Sequence, residues 1–532
     1  MRPATRGIAC GALLLPLLAF AAGAAGRPES AQPPAAVVDT TAVEPSGRTI
    51  AVPGGGDLQA ALESARPGDV VALEPGATYR GPIVLPRKSG AGWIVIRTGG
   101  DTDIPQAGTR VDPGHARAMA KLVATSGAVV KTAPGAHHYR LVGLEIRPGE
   151  AAFLHNLVEI GWAETSAEDL PHHVIVERCY LHGDPKKGGR RGIVLNGATV
   201  AVIDSYLADF KEVGADSQAI AGWNGPGPFK IANNYLEGAG ENVMFGGVDP
   251  SVRDLVPSDI EIVKNHFAKP LAWRQGDPAY TGTPWTIKNL FELKNARRVR
   301  IEGNLFEHNW AQAQIGFAVV FTVRNQDGRA PWSVVEDVTF ANNVVRGSTS
   351  GINILGRDNN NPSQPTRRIV IKNNLFAELG GPRWGGEGRL FQLLDGTTSV
   401  VIDHNTAMHV GTIITAEGPP HRDFVFTNNI VAHNTYGITG SGVGTGTQAL
   451  DALFPGSVVK RNVIVGGSSG QYPRDNFVVG SWEKVKFEDL SRGRLRLIDD
   501  SPYRRASLDG KDIGVDDGAL QAAVGPASGK RR

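Results

Sequence analysis

Cysteine is nearly absent from this 532-residue chain: there are two. Cys10 lies in an N-terminal apolar segment, ahead of its strongest stretch Leu13–Ala22, so only Cys179 remains once that segment is set aside, and an intramolecular disulfide is excluded. Stability must then come from a core and from backbone pairing. Cys179 lies in an apolar, strand-like stretch and reads as a small core residue. No Cys/His cluster has zinc spacing. An excess of one charge is missing too. With 55 Lys+Arg against 53 Asp+Glu the formal net charge is +2, which excludes a strongly basic nucleic-acid binder. Successive amphipathic helices are lacking, which disfavours a doubly wound α/β sheet.

The one long apolar run is Ile8–Ala25, behind Arg2 and Arg6 and ending in the small-residue site Ala22-Gly23-Ala24. This pattern predicts a secretory signal peptide over residues 1–24 and a secreted or periplasmic protein with no membrane contact after cleavage. Cleavage removes two arginines and no acids, leaving equal numbers of basic and acidic groups. Residues 25–47, with Pro28, Pro33, Pro34 and Pro45, read as a flexible linker. Residues 48–518 read as one folded unit and 519–532 as a disordered tail. A monomer is expected.

What is abundant is glycine, 67 residues or about twice the usual ~7%. What is periodic is asparagine. A short strand pattern followed by Asn and an apolar residue recurs along the chain: FKIANNYL from Phe229, IEIVKNHF from Ile260, VRIEGNLF from Val299, VTFANNVV from Val338 and IVIKNNLF from Ile369. VVIDHNTA from Val400, FVFTNNIV from Phe424 and VVKRNVI from Val458 continue it. The aligned residues are Asn234, Asn265, Asn304, Asn343, Asn374, Asn405, Asn429 and Asn462, and two earlier copies carry Cys179 and Ser205 there. Repeats of this length, each with a strand and a turn, mark a solenoid whose coils bury their apolar side chains by stacking. Asn suits its corner because it tolerates left-handed backbone and can bond to its copy in the next coil. A second strand follows in each repeat, with Phe291/Leu293, Phe321/Val323 and Ile352/Ile354 inward. The predicted fold is all-β, a right-handed parallel β-helix. Asp57–Ala65, with a capping Asp and apolar Leu58, Ala61, Leu62 and Ala65, reads as a short helix covering its N-terminal end.

These features resemble the secreted right-handed parallel β-helix proteins of the pectate-lyase-like superfamily. The likeness rests on the capping helix, GDVVALEPGATYRG (Gly68–Gly81), the Asn-bearing coils, and the ending DDSPY (Asp499–Tyr503) with DGKDIG (Asp509–Gly514). GENVMFGG (Gly240–Gly247) is similar to a bacterial subgroup of that fold. The resemblance implies a polysaccharide substrate or ligand. It leaves the chemistry open, since this fold carries lyases, hydrolases, epimerases and non-catalytic binders. The Asn-Thr-Asp and Gly-His-Gly motifs of polygalacturonase-type hydrolases are absent, and Val401-Ile402-Asp403-His404 matches a lyase strand only within a ladder repeat.

β-Elimination on a uronate polymer requires a positive group on the sugar carboxylate, a base for the C5 proton and an acid for the leaving oxygen. Some β-helix lyases use a Lys/Arg pair with calcium. Aligning the second strands on their inward pairs stacks Lys294, Arg324 and Arg357, followed by Asn295, Asn325 and Asp358, with Glu292, Thr322 and Asn353 outward one step earlier. Lys294, Arg324, Arg357 and Glu292 are thus the candidate catalytic residues. The two longest repeats add Trp273, Arg274, Tyr280, Trp285, His308 and Trp310 beside them. Asn325, Asp358, Asn353, His308, Trp310 and Trp285 are the candidate substrate contacts. Glu241, Asn242 and Glu292 supply oxygen ligands suited to Ca2+.

Overall fold

The computed structural model describes residues 28–525 apart from Val43, Asp101, Thr102 and Ala151, so the expected signal peptide lies outside the described residues. Three long sheets of 14, 14 and 13 strands, numbered in the order the chain visits them, run the length of the molecule, and their long-range pairing is parallel almost throughout. Each coil contributes one strand to each sheet, and coils stack ~4.8 Å apart. The chain is a right-handed parallel β-helix. Inward residues form unbroken columns. Val174, Val200, Phe229, Ile260, Val299, Val338, Ile369 and Val400 pair in succession along the first sheet, all essentially buried. In the second sheet Phe267 and Phe306 stack with ring centroids 4.4 Å apart.

Each repeated motif is not one strand but two, joined by a tight corner between the first and second sheets. The left-handed residue is the one before the ladder position: Asn233 (φ 54°), Lys264 (φ 58°) and Gly303 (φ 67°) are examples. The ladder Asn follows, with its amide turned into the core. Asn304 Oδ1 accepts from the backbone N–H and Nδ2 of Asn265 at 2.9 and 3.0 Å, while its own Nδ2 donates to Ile262 O and Asn343 Oδ1, both at 2.9 Å. The same bonds run from Asn234 to Asn462 and on to Asn476. Ser205 and Cys179 extend the column upstream. Cys179 is fully buried, and burial pushes its thiol up to about 12.

The expected end cap is present. Helix Leu58–Ser64 starts at Asp57, whose side chain accepts from Ala60 N at 2.9 Å, and it buries Leu58 and Leu62 over the first coils.

Both chain ends are tied along the outside, which corrects two boundaries. Residues 28–42 of the segment read as a flexible linker form an extended strap across the first sheet. Glu29 N donates to Ser399 Oγ (3.1 Å), Gln32 N to Asp337 (2.9 Å) and Ala35 N to Asp259 (2.7 Å). Arg140 donates to the carbonyls of Thr40 and Thr41, and Val38 is buried against Ile175, Ala201 and Ile203. Each contact supplies a partner to a strap amide or carbonyl that its Pro- and Ala-rich sequence leaves unpaired. The span from Ser399 to Arg140 is eight coil steps, ~38 Å, which matches the ~40 Å reach of twelve extended residues. The C-terminal chain runs back beside the ladder corner: Gly514 N bonds Asn428 O, Val515 N bonds Thr406 Oγ1 and Asp516 N bonds the Asn373 side chain. Residues 517–524, expected to be partly tail, form helix Asp517–Val524, because Leu520 and Val524 bury against Leu305, Val344 and Leu495. Gly303 is required beneath it: a Cβ there would come within 2.7 Å of Ala523 O.

Candidate functional site

The polar outer face of the third sheet is a connected row. Arg191 donates to Gln218 (3.0 Å), Gln218 to Glu241 (2.7 Å), and Lys288 bridges Glu241 (2.9 Å) and Asp216 (2.6 Å). Burial drives the Glu241 carboxyl up. Burial also works against charge on Lys288, yet Glu241 and Asp216 carry that ammonium above its usual range. Next come Asn289, which donates to Glu292 at 3.1 Å, and Lys294, 3.7 Å from the same carboxylate. Thr322, one coil on, reaches Glu292 at 3.4 Å.

Glu292, Lys294, Thr322, Arg324 and Asn353 line one depression of about 310 Å³, closed on one side by Gln314–Phe317. Four of the expected site residues therefore meet. Lys294 can approach because Gly246 sits against it at φ 96°, where a Cβ would lie 2.8 Å from Lys294 Cβ. Arg324 is braced by Asp358 (2.7 Å) and Asn359 (2.6 Å) through Nη1, leaving Nη2 and Nε for a ligand.

The other expected contacts differ. Arg357 is exposed and is not part of that lining. Asn325 is fully buried and ties its loop to that of the next coil, donating to Pro362 O and accepting from Ala330 N. Asp358 is outside that lining and braces Arg324. Burial opposes its charge, but the N–H groups of Asn360 and Asn325 and the Arg324 guanidinium hold its carboxyl below the usual range. The register also differs from the expected inward pairs: Val319, not Phe321, lies opposite Phe291 and Ile352, while Arg324 still adjoins Lys294, its backbone N–H donating to Lys294 O at 2.9 Å. The oxygen set read as suited to Ca2+ is also not an open cage. Glu241 is taken by Lys288 and Gln218, and Asn242 Oδ1 by the buried Lys269 at 3.2 Å, so two ammonium groups stand where a cation would be bound.

The long loops build the aromatic part. Trp273, Trp285 and Trp310 pack together, and with Arg274, Tyr280 and Trp384 they line a second depression of about 400 Å³. His308 lies outside that lining. It stacks on Trp384 at 5.2 Å and supports it. Arg274 lies over Trp384 at 5.1 Å.

A third depression, about 640 Å³, was not foreseen. It is lined by Tyr180, Tyr206, Asp209, Lys211 and Glu237 on the second sheet, with Trp273 and Trp285 as its far wall. Lys211 is held by Asp209 at 2.6 Å and lies 5.2 Å from both indole rings. Glu237 accepts from Tyr235 OH (2.8 Å) and from Asp209 N (3.2 Å). Burial first, and then the Asp209 carboxylate, push its carboxyl up to about 7. The sequence held a signal for this face: a tyrosine directly follows the ladder position in three successive coils, at Tyr180, Tyr206 and Tyr235.

The depressions adjoin. The first two aromatic ones share Trp273 and Trp285, and a fourth, lined by Ala311, Ile315, Phe317, Ser350, Gly386 and Arg389, joins the Trp384 pocket to the Lys294 pocket. Together they make one cleft along the turns between the second and third sheets.

No family model matches the chain, and no curated protein matches it. Solved structures do. One is a PL6-family alginate lyase, at TM-score 0.44 and 14% identity over 88% of this chain and 57% of that one. Another is a mannuronic acid-specific family 6 polysaccharide lyase from human gut microbiota (TM-score 0.46, 13% identity, 91% of this chain and 100% of that one). A third is the catalytic unit of a GH87 α-1,3-glucanase from Streptomyces thermodiastaticus (TM-score 0.45, 11% identity, 84% and 70%). The chain spans little more than half the length of the first of these. At such identities and TM-scores the likenesses transfer neither substrate nor residue roles. The three parallel sheets and the Asn ladder decide the class. The fold is a right-handed parallel β-helix. On such a helix the cleft lies outside the turns, where loops of variable length are free to shape a site.

Proposed function

We propose that this β-helix is an exported carbohydrate-active protein that cleaves an acidic, uronate-containing polysaccharide by β-elimination. One observation carries the reading: a single elongated cleft alternates indole walls (Trp273, Trp285, Trp310, Trp384) with cationic groups (Lys211, Arg274, Lys294, Arg324). Aromatic faces suit sugar rings, and guanidinium and ammonium groups suit their carboxylates. In this reading Arg324, pre-aligned by Asp358, takes the uronate carboxylate at the reacting sugar. Neutralising it acidifies the C5 proton. Glu292 accepts that proton and Lys294 donates one to the departing O4. The C5–H and C4–O bonds break and a C4=C5 double bond forms. Lys294, ion-paired with Glu292, is better placed to donate a proton than to remove one.

A second reading is favoured by Glu237 alone. A carboxyl held near 7 beside Asp209, under the Tyr180 and Tyr206 rings, has the properties of a general acid for glycoside hydrolysis. One experiment separates the two. The chain is incubated with a panel of uronate polymers, and ultraviolet absorbance and reducing ends are followed together. The lyase reading expects both to rise, and Lys294→Ala or Arg324→Ala to slow the reaction about 10²-fold or more with little change in melting temperature. Reducing ends without absorbance, abolished by Glu237→Gln, would select the hydrolase. Cleavage at the parent rate by the Lys294→Ala/Arg324→Ala double variant would remove that cluster from the mechanism.

A further inference from the structure

Four histidines that play no part in the cleft stand in a two-by-two block at another corner of the helix, where the third sheet hands over to the first. His137 and His138 open one strand of the first sheet, and His172 and His173 open the next. Strand pairing sets His172 against His137. The rings follow: His137 stacks on His172 with centroids 4.8 Å apart, and His138 on His173 at 4.4 Å. Within each strand the two imidazoles turn their Nδ1 atoms towards each other, 2.8 Å apart in both pairs. That geometry depends on a left-handed backbone at the second histidine, φ 59° at His138 and 54° at His173. Left-handed backbone is uncommon for a residue other than glycine, though His is among the enriched types. Among the described residues, His138, His172 and His173 can each offer a ligand atom within 4.8 Å of one another.

We propose that this block binds one divalent transition-metal ion of the kind imidazole favours, Zn2+ being the physiological candidate. Neighbouring ligands of an ion bound at ~2.0–2.1 Å lie about 3 Å apart at right angles and ~3.4 Å apart in a tetrahedron. The 2.8 Å separation within each pair is already close to that bite. The separation across the coil is set by the ~4.8 Å strand spacing, and rotation of the half-buried rings closes it. His137 carries the accessory contact typical of a metal ligand: its Nε2 lies 2.9 Å from Lys88 O, so Nε2–H donates outward and the Nδ1 lone pair faces its neighbours. Trp93, edge-on to His138 at 5.2 Å, screens the outer side. Imidazole without thiolate selects Zn2+, Cu2+, Ni2+ or Co2+ over Ca2+ and Mg2+. The ion would clip two adjacent coils to the loop that carries Lys88 and Trp93, next to the N-terminal cap.

The test is calorimetric titration of Zn2+ into the metal-stripped full chain at neutral pH. One equivalent should bind, and Zn2+ should raise the melting temperature, while Ca2+ does neither. His138→Asn/His173→Asn keeps residues that accept left-handed backbone, and it should weaken Zn2+ binding at least ten-fold. His172→Ala, at an ordinary backbone position, should do the same if the double variant fails to fold. Co2+ should give the visible absorption of a nitrogen-rich, low-coordinate site in the parent and lose it in His172→Ala. Zn2+ affinity unchanged in His172→Ala, or no stoichiometric binding by the parent, would overturn the proposal.

Discussion

Glu237 shows how much one residue depends on its surroundings. Its carboxyl rises from an ordinary 4.5 to about 7, burial first and the Asp209 charge second. The folded chain therefore keeps a proton that the unfolded chain releases between those values. The associated stability is fully present below 4.5 and is lost as pH rises through about 7. Glu237→Gln removes this dependence. The melting temperature of the variant relative to the parent should therefore climb from acidic to neutral pH, and a difference that stays flat would show that the carboxyl is not held protonated. The sequence offered only part of this chemistry at the level of single residues. Lys294, Glu292, Arg324 and Asn353 could be found because they interrupt an otherwise apolar strand series. Lys211 and Glu237 could not be told from a solvated face, since their meaning comes from loop 270–285, which folds over them.

Among the elements, the corner between the first and second sheets is the most constrained. Each ladder Asn makes bonds to the coil on either side. Asn304→Ala would leave Asn265 N, Ile262 O and half of Asn343 without partners. The expected cost is about 1–3 kcal/mol, read as a lower urea midpoint at unchanged m-value. A midpoint equal to the parent's would mean that the ladder bonds contribute nothing net. This corner was legible because a coil's interior must repeat to pack. What was not legible is how far neighbouring strands slide. In FAVVFTV (Phe317–Val323) nearly every residue is apolar, so sliding the strand by two keeps the same face inward and leaves no trace in the pattern. That slide changes the residues opposite the Phe291 strand without separating Arg324 from Lys294, and Arg357 stays outside the depression because its strand ends at Leu355.

At the scale of the molecule, contacts in a solenoid are between neighbouring coils, and stability is close to a sum of local terms. The two straps add long-range terms. Deleting residues 28–41 removes the Val38 contact and the charge-assisted bonds from Arg140, Asp259 and Asp337. The loss should be on the order of 3 kcal/mol, and urea unfolding followed by tryptophan fluorescence and hydrogen exchange should separate into two steps. A single step at the parent's midpoint would mean the strap is passive. Neither strap was visible in the sequence, because a chain that runs across the coils shares no period with them. The N-terminal strap also acts as a ruler. Taut over eight coil steps, it has no slack for a ninth. A solenoid ordinarily grows or shrinks by whole repeats at little cost, but here duplicating a repeat between Arg140 and Ser399 would pull the strap off one of its anchors. The coil count between those points is therefore fixed by a segment that belongs to no coil.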